Sequence, residues 1–217
     1  VIHNIGSVFS DDFNRASLGA NWNVPVVANF TADILSNQLR ARVTTNANNT
    51  LTLETSISNL RSYDFEVDAN FATAISGQCF FEFRLRKVSS TTYVMARINA
   101  TGQLTLINVV AGANVSSTTY STVFTPAIYN KFRFRLVDNL LKVYVNNRHY
   151  VNYVIDENIL IGMLSNNDIN IAIPTIDANK DIFLDNLVVS SYQVEASYGE
   201  WWIKTGRSAI YAGTVKP

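Results

Sequence analysis

The chain has 217 residues, and its 17 Lys and Arg balance its 17 Asp and Glu, so its formal net charge is zero. This balance, without any basic run, removes the electrostatic attraction on which non-specific nucleic-acid binding depends. The single cysteine, Cys79, excludes an intramolecular disulfide and a thiolate zinc cluster. No stretch reaches the roughly 20 apolar residues of a membrane-spanning helix. We therefore expect a folded domain that does not bind nucleic acid and does not insert into a membrane.

Apolar and polar residues alternate with a period of two in several segments, which predicts half-buried β-strands. The segments lie near 65–71, 79–86, 132–136 and 141–145, and Asp138-Asn139 is typical of a tight hairpin turn between the last two. The side chains expected to face the core are Phe65, Val67, Phe71, Phe81, Phe83, Leu85, Phe132, Phe134, Leu136, Val143 and Val145.

Weaker strand patterns complete the chain, and no apolar stripe at helical spacing persists for three turns. They lie near 37–43, 50–55, 92–98, 103–110, 149–155, 168–173 and 181–191. About a dozen short strands without βαβ alternation indicate an all-β fold, an antiparallel sandwich over 1–192. The segment 193–217 lacks alternation and reads as an appendage. Its Trp201 and Trp202 either pack on the domain's own surface or form an interface with another subunit.

Three segments resemble one known family. FSDDFNR at 9–15, followed by Leu18-Gly19 and Asn21-Trp22, resembles the opening of concanavalin A-like (laminin-G-like) jelly-roll domains of bacterial secreted proteins and phage structural proteins. KFRFRL at 131–136 and LKVYVNN at 141–147 look like the family's central hairpin, although Asn147 stands where glycine is usual. FLDNLVV at 183–189 is similar to its closing strand.

The resemblance implies an antiparallel jelly-roll β-sandwich in which the first strand, near 9–14, lies beside the last, near 183–189. It also implies an extracellular location or a virion surface. It does not settle function, because folds of this kind host lectins, glycan-binding modules, glycosidases, lyases and structural domains.

The residues needed for catalysis are not evident in the sequence. The family's glycosidases carry an E-x-D-x-x-E strand, and this motif is absent here. Glu66 and Asp68 are the closest carboxylate pair, but they are most simply partners of basic residues on the next strand. His3, His149 and Cys79 lack the context of a catalytic triad or nucleophile. We therefore predict that the domain is not an enzyme, and a hydrolase or lyase using Glu66 and Asp68 remains an alternative.

Two aspartates are candidates for a structural calcium site. In several sandwiches of the family Ca²⁺ joins the closing strand to the first, and Asp185 and Asp12 occupy the matching segments. Ca²⁺ takes six to eight oxygen ligands, so two carboxylates with backbone carbonyls would suffice. Alternatively, Asp12 caps a turn and Asp185 accepts backbone hydrogen bonds. In either case we expect the two residues to lie close together.

Polar and aromatic side chains alternate away from the predicted core and are candidates for binding a glycan on the outer side of the concave sheet. Either they meet sugar faces and hydroxyls or they form cross-strand ion pairs on a solvated surface. The candidates are Glu82, Arg84, Arg86, Arg97, Arg133, Arg135 and Tyr144, with Tyr93, Tyr120, Tyr150 and Tyr153 as further stacking residues.

The sequence thus favours a non-catalytic domain that binds a glycan or polysaccharide. The alternative is a structural virion component, such as a tail-fibre, baseplate or capsid-decoration domain, that contacts other subunits through 193–217. Structural calcium is the one cofactor expected.

Overall fold

The computed structural model describes residues 2–24, 30–43, 51–58, 60, 62–71, 79–162, 168–173 and 180–194. Within this part of the chain the secondary structure is almost entirely antiparallel strand, as the sequence predicts. The strands in chain order are β1 (Ile2–Asp11), β2 (Trp22–Asn23), β3 (Phe30–Leu35), β4 (Gln38–Val43), β5 (Leu51–Ser58), β6 (Tyr63–Asn70), β7 (Phe80–Ser89), β8 (Thr92–Asn99), β9 (Leu104–Val110), β10 (Ala113–Tyr120), β11 (Asn130–Val137), β12 (Leu140–Val145), β13 (Arg148–Val154), β14 (Asp168–Ile173) and β15 (Asp181–Val194). One short helix, α1 (Glu157–Gly162), lies between β13 and β14.

The strands form two sheets. The eight-stranded sheet has the order β13-β12-β11-β6-β15-β4-β3, with β1 also paired to β15, and the seven-stranded sheet has the order β10-β9-β8-β7-β14-β5-β2. The runs β10-β9-β8-β7 and β13-β12-β11 are successive hairpins, whereas β14 in one sheet and β15 in the other pair with strands that are far away in sequence. The arrangement is a jelly-roll sandwich, as expected.

The first and last strands pair, which confirms the predicted closure of the sandwich. Phe9 lies opposite Val189 and Asp11 lies opposite Leu187 in an antiparallel register. The first residues of β15 pair instead with β4, so β4 and β1 pair with successive parts of this long strand. β15 therefore lies inside the sheet, with β6 on its other side, whereas β1 pairs only with β15 among the described strands.

The core lies between the sheets and is rich in phenylalanine. Phe83 of the seven-stranded sheet lies 5.3 Å from both Phe65 and Phe134 of the eight-stranded sheet, measured between ring centroids. Every residue predicted to face the core is buried. Cys79 is a fully buried free thiol and therefore a small core residue, as its apolar context indicates.

Arg86 contradicts the expectation that it faces outward. The register between β7 and β8 shifts after Leu85, and Arg86 has a positive φ of 46°. This irregularity turns its side chain inward, where it is fully buried. Its Nη1 donates a hydrogen bond to the carbonyl of Asp138, and its backbone N–H donates to the hydroxyl of Tyr63 at 3.2 Å. Arg86 therefore links the two sheets and is not part of an outer binding surface.

The chain beyond β15 is outside the described residues, and so are Trp201 and Trp202. The interface proposed for 193–217 stays a prediction. Among the described residues, none lies in a helix long and apolar enough to cross a membrane.

Candidate functional site

The structure separates the predicted glycan-binding residues onto two outer surfaces. Glu82, Arg84 and Arg97 lie on β7 and β8 of the seven-stranded sheet, whereas Arg133, Arg135 and Tyr144 lie on β11 and β12 of the other sheet. The expectation of a single surface was therefore wrong. Alternation shows that a side chain points away from the core but does not reveal which sheet carries it.

On the seven-stranded sheet one carboxylate holds two guanidinium groups. Glu82 Oε1 accepts a hydrogen bond from Arg97 Nε at 3.0 Å and a second from Arg97 Nη2. Its Oε2 accepts one from Arg84 Nη2 at 3.2 Å. Glu82 is buried although it faces outward, and the Arg84 side chain is only 12% exposed. The three groups form an Arg–Glu–Arg triad in which Glu82 and Arg84 are largely desolvated and the Arg97 side chain is 35% exposed.

Aromatic rings fix both guanidinium groups. Arg84 lies over the ring of Tyr93, 5.0 Å from its centroid, and Arg97 lies 4.3 Å from the centroid of Phe80. Such contacts restrict the long side chains and retain their donors in one orientation. Beside them Met95, Ile107 and Val109 form a second apolar cluster, separate from the main core, with Tyr93 packed against it.

These groups line a pocket of about 290 Å³ on the outer surface of the seven-stranded sheet. We call it the Arg–Glu pocket; the residues that define it are Glu82, Arg84, Tyr93, Met95, Arg97 and Val109. The turns at 90–91 and 111–112 close one end, and Gly112 N–H donates to the carbonyl of Thr91 at 2.8 Å. Gly112 has a φ of 83°, a conformation that glycine adopts without strain. Strands thus provide the floor and two hairpin turns provide a wall.

On the eight-stranded sheet the predicted residues form a flatter ion-pair network. Arg135 binds the buried carboxylate of Asp64 through two hydrogen bonds of 2.8 Å. Arg133 lies 4.1 Å from the ring centroid of Tyr144, and Tyr144 contacts His149 edge to face. His149 is exposed, and its Nε2 shares a 3.0 Å hydrogen bond with the amide oxygen of Asn152. This surface matches the alternative of cross-strand ion pairs.

The carboxylate pair considered for catalysis lies on this same surface. Glu66 is opposite Arg133 and Asp68 is opposite Lys131 in the register of β6 and β11, so each carboxylate has a basic residue across from it on the next strand. Asp68 Oδ2 also accepts a hydrogen bond of 2.9 Å from Asn186 Nδ2.

Asp12 and Asp185 come near each other at the pairing of β1 with β15. The charges of Asp68 and Asp12 add to burial in raising the pKa of Asp185. Asp12 Oδ1 accepts from the Asn14 N–H at 3.0 Å, and Asp185 Oδ1 accepts from the Asn186 N–H at 2.8 Å. These are the turn and strand-end hydrogen bonds of the alternative interpretation.

The described residues do not contain a group of three or more His, Cys, Asp or Glu side chains that could hold a metal ion. Ca²⁺ takes six to eight oxygens, and at this site Asp12 and Asp185 each already use one carboxylate oxygen on a backbone N–H. The side chains present therefore fit a calcium ion poorly. Structural calcium stays a prediction.

In the opening motif Asp11, and not Asp12, is the aspartate at the centre of a hydrogen-bond network. Its carboxylate accepts hydrogen bonds from both Arg15 Nη atoms at 2.6 and 2.5 Å, from Trp22 Nε1 at 2.6 Å and from the Phe13 N–H at 2.8 Å. Burial would raise the pKa of Asp11, but the hydrogen bonds from Arg15, Trp22 and Phe13 outweigh it and lower the pKa. The conspicuous residues of the motif thus form a structural network.

Other stacking candidates divide by location. Tyr93 lines the Arg–Glu pocket. Tyr120 and Tyr150 contact each other edge to face at 5.6 Å, and the hydroxyl of Tyr153 donates to the Ser116 carbonyl at 3.0 Å. Sequence reasoning missed Met95 and Val109, because apolar residues on an outward strand position look like ordinary members of the core.

No protein-family model matches the chain, and no curated protein is significantly similar to it in sequence. Solved structures are similar in fold. The carbohydrate binding module CBM66 from Bacillus subtilis has a TM-score of 0.58 at 12% identity, covering 79% of this chain and 96% of that one. A Bacillus subtilis protein of unknown function with a galectin-like fold has a TM-score of 0.66 at 7% identity, covering 90% and 100%.

The catalytic domain of an endo-1,3-beta-glucanase (laminarinase) from Thermotoga petrophila is similar as well, with a TM-score of 0.58 at 14% identity and coverage of 90% and 100%. Identities this low establish the fold and leave the activity open. Binding modules and hydrolases share the architecture. The chain has a jelly-roll β-sandwich fold, which it shares with these carbohydrate-binding, galectin-like and glucanase domains.

Proposed function

We propose that the protein is a non-catalytic glycan-recognition domain and that the Arg–Glu pocket binds the sugar. The proposal places the domain outside the cell or on a virion surface, where polysaccharides are met. The observation that carries it is the combination, in one pocket, of fixed guanidinium donors with an apolar floor.

The chemistry of the pocket matches the surface of a sugar. A pyranose presents hydroxyl groups around its rim and C–H groups on its faces, so its site needs both oriented hydrogen-bond donors and apolar area. Arg84 and Arg97 supply the donors, while Tyr93, Met95 and Val109 supply the apolar area. A volume of about 290 Å³ is near the lower end of small-molecule sites, which suits a short part of a glycan.

The same pocket argues against glycoside hydrolysis. Retaining and inverting glycosidases use two carboxyl groups on opposite sides of the scissile bond, one of which donates a proton. Among the residues that line the pocket, Glu82 is the only carboxylate. Two guanidinium groups hold it through hydrogen bonds, and the pocket lacks the second carboxyl group that this chemistry requires.

Two tyrosines provide a matched test. Tyr93 and Tyr144 each lie under an arginine, but on opposite sheets. Binding of the full chain to a broad polysaccharide and oligosaccharide array is measured for wild type, Tyr93→Ala and Tyr144→Ala, and melting temperatures verify folding. We expect wild type to bind at least one glycan, Tyr93→Ala to lose at least tenfold in affinity, and Tyr144→Ala to stay within twofold.

The outcomes separate site from function. Binding lost only in Tyr144→Ala would keep glycan recognition and move the site to the eight-stranded sheet. A comprehensive screen without any hit would overturn the proposed function. Release of reducing ends from a bound glycan would show a hydrolase instead.

A further inference from the structure

The Arg–Glu pocket contains more positive than negative charge. Two guanidinium groups and one carboxylate line it, and its other lining residues are neutral. Glu82 engages Arg84 through Nη2 only and Arg97 through Nε and Nη2. The buried Nε of Arg84 has no hydrogen-bond partner within the described part of the chain, and neither Nη1 group takes part in the contacts with Glu82. Donors and one positive charge thus remain for a ligand.

Burying this excess positive charge and these unpaired donors costs free energy. A buried charge without full compensation costs considerably more than an exposed one, and a buried donor without an acceptor costs about 1 to 3 kcal/mol. The cost falls mainly on Arg84, because its side chain is only 12% exposed, whereas the Arg97 side chain is 35% exposed. An anion that receives the remaining N–H groups would offset both costs, because charge-assisted hydrogen bonds to guanidinium are the strong ones.

We propose that the sugar recognised in the Arg–Glu pocket carries a carboxylate, so that the ligand is a uronic-acid-containing glycan. This inference rests on the proposed function and specifies its substrate class. The carboxylate accepts hydrogen bonds from Arg84 and Arg97 at the cationic side, and the C–H face of the same pyranose packs on Tyr93, Met95 and Val109.

A carboxylate fits these donors by shape as well as by charge. Carboxylate and guanidinium are both planar and form paired, parallel hydrogen bonds, which a hydroxyl group cannot reproduce. Glu82 already meets Arg97 through adjacent Nε and Nη2 groups, so the groups on the other side are oriented away from Glu82. The ring contacts hold that orientation before the ligand arrives, which reduces the entropy lost on binding.

Isothermal titration calorimetry on the full chain tests the inference with trigalacturonate, trimannuronate and a glucuronate trisaccharide. Each is compared with its methyl ester, which keeps the sugar and removes the charge. A sulfated galactan oligosaccharide is the second anionic probe, and galactotriose and laminaritriose are neutral probes. We expect at least one uronate to bind at least tenfold more tightly than its ester, with an affinity that falls as sodium chloride rises.

Variants assign the effect to the pocket. Arg84→Gln should weaken uronate binding at least tenfold, whereas Arg133→Gln, which removes an equivalent tyrosine-stacked arginine from the opposite sheet, should change it less than twofold. Arg84→Lys retains the charge without the planar donors, and we expect an intermediate loss. It also replaces Arg84→Gln if that variant fails to fold.

Each result decides between the two proposals. Equal affinity for a uronate and its ester, or unchanged binding in Arg84→Gln, would overturn the carboxylate inference. Binding only to neutral or only to sulfated probes, lost in Tyr93→Ala, would also overturn it while retaining glycan recognition. Absence of binding to every probe and to the wider array would overturn both.

Discussion

Replacing Asp11 by alanine should destabilise the sandwich strongly, because one carboxylate satisfies several donors. The Phe13 N–H and the Trp22 indole N–H belong to residues that are 0% and 7% exposed, so water cannot readily replace their acceptor. At about 1 to 3 kcal/mol for each of these two orphaned donors, the loss is about 2 to 6 kcal/mol. Arg15 adds little, since its side chain is 34% exposed and can be rehydrated.

Urea denaturation and thermal melting measure this change. For a chain of this length a loss of 1 kcal/mol lowers the melting temperature by about 2 to 4 °C, so Asp11→Ala should melt roughly 5 to 15 °C below wild type. Asp12→Ala is the matched control, because Asp12 holds one exposed turn hydrogen bond and should cost at most about 1 kcal/mol. Equal losses in the two variants would refute the network.

The pH dependence provides a second readout. Hydrogen bonds lower the pKa of Asp11 below its ordinary value near 3.8, so folding is favoured whenever the carboxylate is charged. The stabilisation is complete above about pH 5 and is lost as the pH falls through the lowered pKa. The difference in free energy of unfolding between wild type and Asp11→Ala should therefore become smaller in acid. A difference that is constant from pH 7 to pH 3 would contradict the assignment.

Three further predictions follow from the core and the strand ends. Tyr63→Phe removes the acceptor of the Arg86 N–H and should lower the free energy of unfolding by about 1 to 3 kcal/mol in urea denaturation. Burial raises the pKa of Tyr63 to about 12, so wild type should become less stable as the pH rises from about 10 to 12, whereas the variant should not. Phe83→Ala and Phe134→Ala should each cost about 3 to 5 kcal/mol, and a double-mutant cycle in urea should give a coupling of about 0.5 to 1.5 kcal/mol for their contact, whereas additive losses would argue against it. Asp185→Asn should raise the melting temperature at pH 7, since its raised pKa means that folding disfavours the charged form; a lower melting temperature for this variant, together with a fall for wild type in excess EDTA, would instead support structural calcium.

The sandwich was predictable because alternation is a local property. The polar neighbours of Phe65 and Phe134 in the sequence indicate that both side chains point inward, and both are fully buried. β10 was missed because its sequence, ANVSSTTY, is exposed along nearly its whole length and carries no apolar period. Arg86 was placed on the wrong side because the register shift that turns it inward leaves no mark in the alternation.

The candidate site was predictable only in part, for a related reason. Glu82 and Arg97 could be recognised as outward residues, but their ion pair depends on the register of β7 with β8, which a single sequence does not specify. The division of the candidates between two sheets depends on strand order, and that is a property of the whole topology. The motif at 9–15 drew attention to Asp12, whereas the strand end buries Asp11.

The Arg–Glu–Arg triad is better explained by ligand binding than by stability. Apolar residues of similar volume can replace a buried ion pair at no cost or with a gain in stability, because two charges need not then be desolvated. Met95 and Val109 show that the outward side of this sheet accommodates buried apolar side chains. A surface that only had to be stable would extend that cluster across positions 82, 84 and 97. The chain instead places there one carboxylate and two ring-held guanidinium groups with donors remaining, an arrangement that an anionic ligand would complete.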